Sequence, residues 1–484
     1  MSFTPAQWLA LLPILLVSAT IVVVMLAIAV KRDHWWNATF TVVGLNLALI
    51  SCILLVSNGS QDVTPLLRVD GYSTFYMAMI LATTLATATL SHAYLEGYAG
   101  NKEEMYLLLG LSSLGAIVLV CANHLAAFFI GLELMSIPLY AMVGYPLKNQ
   151  RSLEAGLKYL VLSAGASAFL LFGMALMYSQ VGSMSFAALG AYASSAAANP
   201  FLQVGAALFI VGVGFKLSLV PFHLWTPDVY EGAPAPVAAY LATASKTAVF
   251  AVLLRYFVEG GGYSQPTLLD TLAVIAIVSI LVGNVLALMQ ANVKRMLAYS
   301  SVAQFGYCLV ALIASGPLAV EAVGMFLLTY VVTTLGAFGV VTLTSSPMGE
   351  ADADEYDDYR GLFWRRPYLA SILTAMLLSL AGIPLTAGFI GKFYVIAAGV
   401  EQREWWLLAA VVVGSAIGLY YYLKLMITLF LVTPALRRFS APLDWAQRAG
   451  GTMVLLLMLL MLLMGLFPQP FIDIVQIGSL GQPR

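Results

Sequence analysis

Lys216-Leu-Ser-Leu-Val-Pro221-Phe-His223-Leu-Trp-Thr-Pro227 sits inside an apolar run of residues 201–227. The run is long enough to cross a membrane as a helix, yet two prolines and a lysine lie within it. Proline removes a helix hydrogen bond and forces a kink. Inside a membrane the carbonyls so freed must be satisfied by protein or water. A second stretch repeats the arrangement: Gly382-Ile-Pro384-Leu-Thr-Ala-Gly388-Phe-Ile-Gly391-Lys392 within 367–399. Each break lies within about two turns of a lysine. The pair predicts two broken membrane helices, each beside a charge that lipid cannot solvate.

Composition agrees. AVILMFWYC make up 61 % of the 484 residues and DEKR only 9 %, against about 25 % charged in soluble domains. That is too little polar surface to wet a globule of this size, which excludes a soluble enzyme and a disordered chain. The 22 basic and 23 acidic residues nearly cancel, so no basic face awaits a nucleic acid. Cys52, Cys121 and Cys308 are isolated in apolar runs and supply no ligand set for a disulfide, a zinc ion or an iron–sulfur cluster.

Apolar runs of about 20 residues cross a ~30 Å hydrocarbon core. About fourteen are predicted: 8–30, 36–57, 71–91, 105–121, 123–147, 155–180, 201–227, 234–258, 267–289, 294–314, 318–345, 367–399, 405–432 and 447–468. Residues 1–7 carry no basic charge, so the first run reads as a retained helix rather than a cleaved signal. Odd-numbered loops hold 13 Lys and Arg; even-numbered loops and tails hold 4, namely Arg68, Arg255, Arg403 and Arg484. Basic residues mark the cytoplasmic side, so both termini are expected outside. The acidic loop 346–366 is expected to be solvated, with a docking face for a partner protein as the other reading.

Five basic residues remain inside spans: Lys158, Lys216, Lys246, Lys392 and Lys424. All are lysine. An arginine stays charged anywhere, whereas a lysine can release its proton once desolvated. Lys158 and Lys424 lie near span ends and can snorkel to the surface; Tyr420-Tyr421-Tyr422 beside Lys424 reads as an interfacial belt. Lys246 lies roughly 18 Å along its helix, and Lys216 and Lys392 are also deep. Glu133 is the acid at similar depth. An ion pair between Glu133 and one lysine would keep both charged, and breaking it would let a proton move. His223 can extend such a path, because imidazole titrates near neutrality.

The two breaks occupy matching places, the fourth span of spans 4–8 and the fourth of spans 9–13. An odd repeat length inverts the second copy, a transporter design. The expected fold is therefore an all-α polytopic membrane protein of about fourteen helices. It divides into helices 1–3 (1–104), a first repeat (105–258), an inverted second repeat (267–432) and a final helix with tail (447–484).

Gly131-Leu-Glu133-Leu-Met-Ser-Ile-Pro138, Gly214-Phe-Lys216 through Pro227-Asp228 to Gly232-Ala-Pro-Ala-Pro236, Ala244-Ser-Lys246, Asn292-Val-Lys294-Arg295-Met-Leu-Ala-Tyr299-Ser-Ser301 and Gly382-Ile-Pro384 to Gly391-Lys392-Phe resemble the antiporter-like membrane subunits of respiratory complex I over about residues 70–430. The short C-terminus is similar to that of members without the long lateral helix of the distal subunit. The resemblance implies a mid-membrane axis of ionisable residues, carried here by Glu133, Lys216, Lys246 and Lys392, with Lys158 matching a further family lysine. It implies proton translocation across the bacterial inner membrane, driven by quinone reduction elsewhere in an NADH–quinone oxidoreductase. FMN, iron–sulfur clusters, NADH and quinone would belong to that complex, since this chain has no motif for any of them. Neighbouring antiporter-like and small membrane subunits and lipids are the implied partners. Two readings stay open beside it: a subunit of a multisubunit Na+/H+ antiporter, and a structural subunit whose lysines only brace the bundle.

Overall fold

A computed structural model describes residues 3–196, 199–349, 351–431 and 445–478. In chain order the helices are α1 Pro5–Val30, α2 His34–Leu55, α3 Gly71–Leu95, α4 Glu104–Val120, α5 Leu125–Val143, α6 Gln150–Val181, α7 Phe186–Ala196, α8 Pro200–Leu217, α9 Trp225–Gly232, α10 Ala235–Tyr240, α11 Lys246–Glu259, α12 Pro266–Leu288, α13 Val293–Ala314, α14 Gly316–Thr344, α15 Tyr356–Tyr359, α16 Leu362–Arg365, α17 Pro367–Ala381, α18 Ala387–Glu401, α19 Trp405–Phe430, α20 Trp445–Leu466 and α21 Gln469–Ile477. A π-turn, Leu241–Ser245, joins α10 to α11. Among the described residues, twelve helical segments are long and apolar enough to span a membrane, and Glu104–Val120 and Pro367–Ala381 are shorter apolar helices. The chain is an all-α polytopic membrane protein.

The helices start where side chains can accept the first free N–H groups. Asp33, Asp70, Asn149, Asn199 and Asn292 each cap one. Proline opens α8, α12, α14 and α17, where its missing N–H costs nothing. The segments α10–α11, α13 and α14 are enclosed by the others. On α1, α6 and α19 large apolar side chains such as Leu26, Phe172 and Val412 are exposed. Lipid or a neighbouring subunit must cover these faces.

Both interruptions are present. α8 ends at Leu217 with Ser218 at φ 62°, and the chain resumes as α9 at Trp225. α17 ends at Ala381 with Gly382 at φ 85°, and α18 begins at Ala387. Each first half therefore stops in a left-handed residue. At Gly382 the absence of a Cβ matters twice, because the aliphatic end of Lys392 lies against it.

The structure adds one element and corrects four local expectations. A short antiparallel hairpin, Gln61–Thr64 with Leu67–Val69, precedes α3. Arg255 is in no loop: it is fully buried in α11, and its guanidinium meets Asp70 through two bonds of 2.9 and 2.8 Å. Lys294 is likewise not a loop residue; the Asn292 cap starts α13 before it, and it is 2 % exposed. The acidic loop does not simply solvate, since Asp352 folds inward onto Lys294 at 2.8 Å and onto the Tyr94 hydroxyl at 2.8 Å. Burial pushes the neighbouring Asp354 carboxyl up. Tyr421 and Tyr422 face the protein interior instead of an interfacial belt, bonding Asn284 and Ser300. Arg437, Arg438 and Arg484 lie outside the described residues.

The Lys294–Asp352 pair supports a test. Removing one partner of a buried pair costs about 3–5 kcal/mol. Lys294→Met is expected to release the 346–358 segment, so that limited proteolysis there speeds up by about tenfold or more. The double variant Lys294→Met/Asp352→Asn should recover most of the protection.

Candidate functional site

Lys216 occupies the last turn of α8 and is 3 % exposed. Its ammonium donates to Ser136 Oγ and Ser163 Oγ, both at 2.7 Å, and to the Tyr140 hydroxyl at 3.4 Å. Tyr140 and Ser163 bond each other at 2.6 Å. The rings of Tyr140 and Tyr159 lie 5.6 and 5.8 Å from the ammonium, a distance at which a π-face attracts a cation.

Glu133 does not close an ion pair with Lys216. One carboxylate oxygen instead accepts from Ser167 Oγ at 2.6 Å. Ser136 and Tyr140, three and seven residues on along the same face of α5, occupy the ammonium instead. The carboxylate nevertheless stays within electrostatic reach of the lysine. Lys158 sits apart, with its side chain 43 % exposed, on Glu154 at 2.7 Å and Asp228 at 3.0 Å. Asp228 also receives Arg295 at 2.7 Å.

Lys246 follows the π-turn and is fully buried; such turns recur at functional sites. Its ammonium donates to Ser301 Oγ at 2.9 Å, and Ser301 bonds the Tyr330 hydroxyl at 2.8 Å. The rings of Tyr230 and Phe305 flank it at 5.4 and 5.2 Å. Lys392 donates to the Ala381 carbonyl at 3.0 Å, under the Tyr307 ring at 5.2 Å. Lys392 thus places its ammonium group at the carbonyl end of the half-helix α17, the negative pole of its dipole.

A polar stripe on α13 joins Lys246 to Lys392. Ser300 bonds the Tyr422 hydroxyl. Gln304 donates to Tyr422 at 3.4 Å and to the Leu380 carbonyl at 3.2 Å, one residue before the carbonyl that holds Lys392. Tyr307 receives Asn284 at 2.9 Å. Between Lys216 and Lys246 stands α9, whose Trp225 stacks on Tyr159 at 4.6 Å and whose Tyr230 covers Lys246. His223, in the break, is 6 % exposed, with the Pro221 backbone as its polar neighbour. Its ring is 6.3 Å from that of Tyr299, and it touches no lysine of the set.

The hydroxyls of Tyr140, Ser163, Ser167 and Tyr330 carry no expectation from the sequence, and those of Ser136, Ser301 and Tyr422 none as partners of this polar network. The available signal was the spacing of Ser300, Ser301, Gln304 and Tyr307, which repeats at helical period inside an otherwise apolar span.

The family described as NADH:quinone oxidoreductase/Mrp antiporter, TM, matches residues 122–418. NADH-quinone oxidoreductase subunit N of Ectopseudomonas mendocina (strain ymp) is 57 % identical over 483 residues, covering 99 % of this chain and 98 % of its own. A chain of respiratory complex I from Thermus thermophilus, solved with bound aureothin, superimposes with TM-score 0.82 at 34 % identity, over 95 % of this chain and 98 % of that one. A chain of the Mrp complex from Dietzia sp. DQ12-45-1b has TM-score 0.86 at 22 % identity over 98 and 97 % of the two chains, a likeness of fold. The chain therefore belongs to the NADH:quinone oxidoreductase/Mrp antiporter membrane family, in the line of NADH-quinone oxidoreductase subunit N.

Proposed function

We propose that this membrane-arm subunit carries protons through a relay of Lys216, Lys246 and Lys392, with Glu133 setting the charge beside Lys216 and quinone reduction elsewhere in the complex driving it. One observation carries the reading. Among the described residues, none of the three buried ammonium groups has a carboxylate within ion-pair distance. A bracing charge inside a membrane is paired, as Arg255 and Lys294 are here. These three rest on hydroxyls, rings and one carbonyl. A hydroxyl both accepts and donates, so it can take a proton from one side and release one on the other.

In this reading Lys158, tied to Asp228 at the surface, serves proton entry, and His223 offers a branch beside the break. Fourteen spans, counting both short apolar helices, form two inverted five-helix units within 105–258 and 267–432. The termini face the periplasm of a bacterial inner membrane. Neighbouring antiporter-like and small membrane subunits flank the exposed apolar faces. FMN, iron–sulfur clusters, NADH and quinone reside in other subunits.

The 57 % identity to a subunit N favours this reading over a sodium antiporter. Lys246→Met tests it. Proton uptake into membrane vesicles driven by NADH oxidation should fall about tenfold or more, as for a lost proton-transfer step, at unchanged subunit level. Full NADH-driven uptake at normal assembly would refute the relay. Sodium-dependent proton exchange without NADH would favour the antiporter.

A further inference from the structure

We infer that His34, His92 and Glu96 form a binding site for a divalent ion of the zinc class where α2 begins and α3 ends. Their candidate ligand atoms all lie within 4.8 Å of one another, the one such cluster of three found among the described residues. Two imidazoles and a carboxylate suit zinc, which takes three protein ligands and a water in a tetrahedron. The inference does not depend on the relay.

The tautomer of His34 is set by its surroundings. Its Nε2 lies 3.2 Å from the His92 carbonyl. A carbonyl only accepts, so Nε2 must carry the hydrogen, and the lone pair is left on Nδ1. That Nδ1 is buried and has no hydrogen-bond partner. A ligating imidazole whose second nitrogen donates to a backbone carbonyl is the usual outer arrangement of a metal-bound histidine. Glu96 follows His92 by one helical turn, with Oε1 3.9 Å from His92 Nδ1. Ligands around zinc in a tetrahedron sit roughly 3.3 Å apart. The cluster needs a contraction of up to about 1.5 Å, and the exposed Glu96 side chain can supply part of it.

Two neighbours fit a bound ion with a water on it. The Tyr106 ring packs 5.6 Å from that of His34, and its hydroxyl is buried without a partner. Lys102, the cation that could compete, donates to the Glu96 backbone carbonyl at 3.0 Å and leaves the carboxylate to the histidines. A metal here would tie α2 to α3 through side chains 58 residues apart in sequence.

The test is zinc binding by the detergent-purified protein with the subunits that accompany it, stripped by chelator and dialysed against radioactive Zn2+. Wild type should hold one zinc more than His34→Gln and than His92→Gln. Glu96→Gln should weaken that site by about tenfold or more. Excess Mg2+ should not displace the ion. Zinc should raise the thermal midpoint of the wild type more than that of Glu96→Gln, as binding to the folded state requires. Equal zinc content and affinity in wild type and His92→Gln overturns the inference. Should the histidine variants fail to assemble, Glu96→Gln decides alone, since its side chain is exposed: an unchanged zinc titration there overturns it equally.

Discussion

Arg255→Met is expected to remove most of the assembled protein from the membrane. The guanidinium is fully buried and grips both oxygens of Asp70 at 2.8 and 2.9 Å, with Glu259 at 3.6 Å and the Tyr72 ring at 4.9 Å beneath it. Asp70 in turn caps α3 through the Ser73 N–H. Deleting the arginine strands that carboxylate in a nearly dry site, at a cost of about 3–5 kcal/mol. Native stability is itself only about 5–15 kcal/mol, so a loss of that size should show as low steady-state subunit level and a lowered melting temperature. The double variant Asp70→Asn/Arg255→Met removes both charges and should recover much of the level. Equal levels in wild type and Arg255→Met would mean that the pair contributes nothing to folding.

That pair also marks the boundary of what the sequence tells. Lys216 and Lys392 were legible because the signals are local: proline, glycine and a charge within a few residues of each other in an apolar run. Arg255 was misplaced because it lies one turn from a span end, where loop and helix look alike, and its partner stands 185 residues away. Asp352 looked like one more acid in a solvated run, and only the fold brings Lys294 to it. The hydroxyls that hold the lysines were hidden for another reason. A serine in a span can satisfy itself on its own helix. Ser136 does so on the Leu132 carbonyl at 2.6 Å while also accepting from Lys216. Nothing in its identity separates a self-satisfied serine from one that receives an ammonium. The expected ion pair of Glu133 with a deep lysine is replaced by a Ser167 bond for a like reason. Depth and helix face were readable from position along a span, but which of several polar residues on one face meets the lysine was not.

Lys216 is the most informative position to change. Lys216→Met and Lys216→Arg are expected to fail alike in NADH-driven proton translocation, each falling about tenfold or more, the scale of a lost proton-transfer step. They should differ in everything else. Methionine leaves Ser136, Ser163 and Tyr140 without their donor, each such loss in a buried site costing about 1–3 kcal/mol. The methionine protein should therefore melt lower and assemble less. Arginine keeps a charge among Ser136, Ser163 and Tyr140 and has donors enough for the three hydroxyls, so assembly should stay near wild type. It cannot release its proton. If the lysine merely braced the bundle, arginine would serve, and translocation would follow assembly. If the lysine hands a proton onward, an assembled arginine protein is silent. Measuring proton uptake and subunit level in the same vesicles separates the two, and a Lys216→Arg protein that pumps normally would retire Lys216 from the relay.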